Sequence, residues 1–140
     1  MTAQGDPALE GKDFAYSWLR IGVSDLRKSI EWYSNYMGLS LNSEHFDEGY
    51  ALMKAGVNHQ PNNHALVVLE TLPDHAYRGK VDGAVRLSYY IQDRNEFYAY
   101  HRYLTENGVG TGEIGGYTGG GRIVFHFYDP DGNRMNVSHY

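Results

Sequence analysis

The sequence contains no cysteine, which excludes disulfides, thiolate nucleophiles and cysteine-ligated zinc. It has no lysine or arginine run, and its 17 acidic residues outnumber its 12 basic ones. Nucleic acid and anionic membrane, which select clustered positive charge, are therefore not expected partners. No apolar stretch approaches the roughly 20 residues that cross a bilayer. Residues 1–13 form a polar, acidic tail that does not resemble a signal peptide, so a cytoplasmic protein is expected. A Gly-x-Ser-x-Gly nucleophile signature is missing as well. The glycine-rich run at 112–121 lacks the Lys-Ser/Thr of a phosphate loop and opens no helix.

What remains suits one globular domain. At 140 residues the chain is long enough to bury a core, and 41% of it is hydrophobic against 21% charged. Eight of the 17 glycines fall between Gly108 and Gly121, which predicts tight hairpins late in the chain.

The pattern along the chain repeats. Tyr16 to Val23 alternates as a strand, with Leu19, Ile21 and Val23 on one face and Trp18 and Arg20 on the other. A helix follows from a cap at Ser24 or Asp25. Leu26, Ile30, Tyr33 and Met37 form its apolar stripe, and Gly38 ends it. Three strands are predicted at about 39–46, 50–55 and 64–70. The second half has the same order: a strand at 85–91, then Asp93 and Glu96 at capping-box spacing. Phe97, Tyr100 and Leu104 stripe that helix, Asn107-Gly108 ends it, and strands follow at about 110–117, 122–128 and 134–139. Val23-Ser24-Asp25 and Ile91-Gln92-Asp93 stand 68 residues apart, and Gly38 and Gly108 stand 70 apart. Such agreement points to a duplicated unit, with module one at about 14–72 and module two at about 83–140.

Val23-Ser24-Asp25-Leu26, leading into Ser29-Ile30-Glu31-Trp32-Tyr33 and Gly38-Leu39, resembles the opening of the vicinal oxygen chelate superfamily. Phe127-Tyr128-Asp129-Pro130-Asp131-Gly132-Asn133 resembles its closing hairpin. That group includes glyoxalase I, extradiol dioxygenases, fosfomycin-resistance enzymes and bleomycin-binding proteins. The resemblance implies an α+β fold of two βαβββ modules. Their eight strands would curl into an open, barrel-like sheet around a cavity, with the helices outside.

Alternation sorts the strand residues between helix and cavity. Tyr16, Trp18 and Arg20 are expected to face the cavity from the first strand, and Arg86, Ser88 and Tyr90 from the fifth. Val124, His126, Tyr128, Asn136 and Ser138 are expected to face it from the last two. The strand at 64–70 is apolar on both faces and stays unassigned; if Glu70 points inward, His64, Leu66 and Val68 share its side.

Metal-using relatives carry ligands at positions that correspond here to Trp18, Arg86 and Asn136. A tryptophan does not ligate a divalent ion, an arginine repels one, and an asparagine offers only a neutral carbonyl. The resemblance also places His126 where ring-cleaving dioxygenases have a catalytic tyrosine. The expected function is metal-independent binding of a small aromatic or conjugated anion, with no cofactor. Trp18, Arg20, Arg86, Ser88, Tyr90 and Asn136 would hold the ligand, with His126 and Tyr128 in catalytic roles of isomerase, cyclase or lyase type. Two alternatives stay open. One is a sequestering protein that performs no chemistry, and the other is a metal enzyme with ligands re-sited to His64, His126 and Glu70. A homodimer is expected from the resemblance.

Overall fold

The computed structural model describes residues 18–54, 66–72, 85–116 and 121–140. Tyr16, His59 and His64 lie outside that set, as does the Gly119-Gly120 part of the expected glycine hairpin. In chain order the elements are β1 (Trp18–Val23), α1 (Leu26–Met37), β2 (Ser40–His45), β3 (Tyr50–Lys54) and β4 (Leu66–Thr71). Then come β5 (Val85–Tyr90), α2 (Arg94–Glu106), β6 (Gly115–Gly116), β7 (Ile123–Tyr128) and β8 (Arg134–His139). A short 3-10 turn, Phe46–Glu48, joins β2 to β3.

The strands form two four-stranded mixed sheets of identical topology, β1-β4-β3-β2 and β5-β8-β7-β6. In each, the first strand pairs in parallel with the last, and the remaining pairs are antiparallel. This is the duplicated βαβββ unit, and its sheets stay open rather than closing into a barrel. Among the described residues no helix is long and apolar enough to cross a membrane.

Both helices begin and end as their sequences dictate. Asp25 rather than Ser24 caps α1, accepting from the Lys28 amide at 3.1 Å. Asp93 caps α2 through the Glu96 amide at 2.9 Å. Gly38 ends α1 at φ 67°, a left-handed conformation that a side chain would strain.

One core joins the modules. Ile21, Val23, Ala51, Met53, Val67 and Leu69 of the first sheet are buried with Phe125, Phe127, Met135 and Val137 of the second. Trp32 of α1 lies 6.2 Å from Phe127, and the Tyr100 hydroxyl of α2 donates to the Tyr36 carbonyl at 2.6 Å.

Two expectations are corrected. Among the described residues, the strand expected at 110–117 is present only at Gly115–Gly116, with an isolated bridge between Thr111 and Phe127. Glycines give such a segment no side chains to pack and a large entropy to lose on ordering. Val85, which simple alternation with Leu87 and Tyr89 puts on the core face, is 44% exposed, because a bulge between Val85 and Leu87 breaks that alternation at the strand entrance.

Candidate functional site

With the core faces fixed, the opposite faces follow from the registers. In the first sheet Arg20 is opposite Val68, Gly22 is opposite Glu70, and Val68 is opposite Leu52. Glu70 therefore shares the Arg20 face, which settles the strand that periodicity left unassigned. Arg20 Nε lies 3.2 Å from the Glu70 carboxylate, so a cation expected to attract a ligand has a counter-charge beside it. Trp18 opens β1 two positions before Arg20.

In the second sheet three polar residues form one transverse row. Ser88 of β5 is opposite Asn136 of β8, and Asn136 is opposite His126 of β7. The Asn136 Nδ2 donates to Ser88 Oγ at 3.2 Å. Asn136 Oδ1 and His126 Nδ1 are both buried and make no hydrogen bond among the described residues. One step along the face, Tyr128 is opposite Arg134, and one step the other way Tyr90, Ser138 and Val124 align. The loop before β6 borders this row, since the Gly112 amide donates to the His126 carbonyl at 2.8 Å and the Tyr128 amide to the Gly110 carbonyl at 3.0 Å.

His126 has its pKa lowered from 6.5, first by desolvation and then by the positive charge of Arg134, with the Asn136 amide pulling the other way. At neutral pH its ring is neutral and can accept a proton. Arg134 was not singled out by sequence reasoning, although the alternation that selected Asn136 and Ser138 places it on the same face. Arg86 is half-buried and sits within the β5 bulge.

Tyr90 stands at the exposed end of this face. It is 51% exposed, stacks on His139 at 6.4 Å and meets Tyr140 at 5.1 Å, while Arg122 lies 4.2 Å over the Tyr140 ring. It belongs to an aromatic rim. The remaining described histidines have structural partners: His101 Nε2 lies 2.9 Å from the Gly112 carbonyl, His139 Nδ1 lies 2.9 Å from the Ile91 carbonyl, and His45 stacks on Tyr50 at 4.5 Å.

A recess of about 390 Å³ lies at the outer edge of the first sheet, lined by Arg27, Glu44, His45, Phe46, Asp47 and Glu48. It contains none of the residues singled out from the sequence.

The side chains described do not fit a divalent ion at the positions where relatives carry ligands. Arginine at 86 brings a fixed positive charge, and Asn136 offers only a neutral amide oxygen where a carboxylate would supply charge. Among the described residues no three His, Cys, Asp or Glu side chains converge. The re-sited set of His64, His126 and Glu70 falls partly outside them.

Residues 15–137 match the family described as Glyoxalase/Bleomycin resistance protein/Dioxygenase superfamily. No curated protein matches the sequence. Among solved structures, the genomically encoded fosfomycin resistance protein FosX from Listeria monocytogenes superposes with a TM-score of 0.72 at 14% identity, covering 92% of this chain and 95% of its own. A mutant of that FosX is complexed with Mn(II) and 1S,2S-dihydroxypropylphosphonic acid. A glyoxalase/bleomycin resistance protein/dioxygenase from Alicyclobacillus acidocaldarius gives a TM-score of 0.69 at 15% identity, covering 90% of this chain and 91% of its own. At these identities the likeness is one of fold.

Proposed function

The chain belongs to the glyoxalase/bleomycin resistance protein/dioxygenase superfamily, and within it we propose a metal-independent site that binds a small aromatic anion and accepts a proton at His126. The observation that carries this reading is the Ser88–Asn136–His126 row on the open face of the second sheet. Where relatives have a metal-binding carboxylate, this chain has an amide hydrogen-bonded to a serine. Beside that amide stands a histidine kept neutral by burial and by Arg134.

Arg134 and Arg86 supply fixed positive charge for a carboxylate, phenolate or enolate. Tyr128 and Tyr90 supply aromatic surface and hydroxyl donors. His126 removes a proton from the bound molecule and returns it at a neighbouring atom, which is the chemistry of an isomerase, cyclase or lyase. Trp18 and Arg20 line the ligand from the first module, with Glu70 limiting the charge that Arg20 offers. A second copy of the chain is the expected partner.

The test pairs binding with turnover. 2-Hydroxybenzoate serves as a probe for the anion site, titrated calorimetrically in the presence of chelator. His126→Ala should retain probe binding and lose turnover of any substrate found by screening. Turnover that survives His126→Ala would remove the proton-transfer role and leave sequestration as the function.

A further inference from the structure

We infer that Asn136, anchored by Ser88, is a positioning residue that fixes the tautomer of His126, so that Nδ1 carries the ring proton and Nε2 presents a lone pair to the ligand. This inference rests on the acid/base reading of His126 and specifies the atom that does the work.

The two ends of an amide are chemically unlike. A primary amide donates through nitrogen and only accepts through oxygen. Asn136 Nδ2 is turned toward β5, where it donates to Ser88 Oγ at 3.2 Å. Its Oδ1 is the other end of the group, and His126 is the residue directly opposite Asn136 on the β7 side. Asn136 Oδ1 and His126 Nδ1 are both buried without a hydrogen-bond partner among the described residues. A buried polar atom left unpaired costs about 1–3 kcal/mol. A small closure of the row relieves both atoms at once, but only when Nδ1 bears hydrogen, because Oδ1 has none to give. The opposite tautomer would need the amide reversed, with Oδ1 accepting from the Ser88 hydroxyl and Nδ2 facing the ring.

The neutral amide has a consequence that a carboxylate would not. It orients the ring without adding negative charge, so it does not build a strongly basic histidine. Among the described residues, the charged and titratable groups that the neighbouring elements bring near this face are Arg134 on β8, Tyr128 on β7, Arg86 and Tyr90 on β5, and Glu113 in the loop bordering the row. With Arg134 nearby, the lowered pKa of His126 agrees with a ring that is neutral and available at physiological pH.

The experiment is long-range 1H–15N correlation spectroscopy on the uniformly labelled full chain, above the titration range of the ring. The His126 signals are assigned by their disappearance in His126→Gln. The expected result is a pyrrole-type Nδ1 and a pyridine-type Nε2. Asn136→Ala should move the population toward the Nε2–H form that free imidazole side chains prefer, and Asn136→Asp should raise the ring pKa by about one unit or more. Ser88→Ala, at an exposed position, should produce a smaller shift in the same direction and serves if Asn136→Ala does not fold. A dominant Nε2–H form in the unmodified protein overturns the inference, as does a tautomer balance unchanged by these substitutions. Turnover surviving His126→Ala would instead overturn the acid/base reading, while the tautomer measurement still reports on the row itself.

Discussion

Tyr33 donates a 2.6 Å hydrogen bond to Asp129, joining the first helix to the closing hairpin of the second module across 96 positions of sequence. Asp129 is 5% exposed, and its other oxygen accepts from the backbone amides of Asp131 at 2.9 Å and Asn133 at 2.7 Å. Asn133 in turn donates to the Gly22 carbonyl at 2.9 Å, and the Ser24 amide donates to Asp131 at 3.0 Å. The Asp-Pro-Asp-Gly-Asn hairpin thus clamps the β1–α1 turn, which fixes the two sheets relative to each other. Tyr33→Phe should destabilise the chain by about 2 kcal/mol, as expected for a hydrogen bond to a charged group, read from urea unfolding.

The same carboxylate gives a pH dependence. Desolvation raises the Asp129 pKa above 3.8, while the bonds from Tyr33 and Asn133 pull it back. A carboxyl with a raised folded pKa favours folding below its unfolded value, and that contribution is lost as pH rises through the folded value. Tyr33→Phe removes a bond that opposes the rise, so the Asp129 titration, followed by carbonyl 13C shifts, should move upward.

His126 has the opposite sign. Its folded pKa lies below 6.5, so its contribution to stability is complete above that value and is lost as pH falls through the folded one. Unfolding midpoints should therefore decline less toward acid in His126→Gln than in the unmodified protein. Any turnover dependent on the neutral ring should show an acid limb below 6.5 and a plateau at neutral pH.

Arg20 and Glu70 form a partly exposed pair, with side chains 52% and 28% accessible. Such pairs contribute less than about 1 kcal/mol, so Glu70→Gln should barely move the unfolding midpoint. It should tighten binding of 2-hydroxybenzoate, because it removes a negative charge from the ligand-facing side. Unchanged affinity would place the anion away from the first sheet.

Much of this arrangement was legible in the sequence. The duplication was visible because caps, stripes and helix terminators are local signals. Asp25, Asp93 and Gly38 each do in the structure what their residue types favour. Sequence alternation also located the Ser88, His126 and Asn136 face. It could not show that these three stand in one row, because register is set between strands and not within them. The β4 orientation was hidden for a related reason: Val67 and Val68 are equally apolar, and only pairing with β1 and β3 separates them. Gly110–Tyr117 misled as a strand because alternating glycines imitate a hairpin pattern while offering little to hold a sheet edge. Arg134 opens the last strand, and only its pairing with Tyr128 places it beside the site.

Elemental analysis of the protein purified without chelator is the direct test of whether the proposed site on the second sheet works without a divalent metal. It should be combined with 2-hydroxybenzoate titration before and after chelator treatment. The expected result is metal far below one ion per chain and probe affinity unchanged by the chelator. One tightly held ion per chain, with probe binding or turnover lost on its removal and restored by Mn(II) or Zn(II), would contradict it.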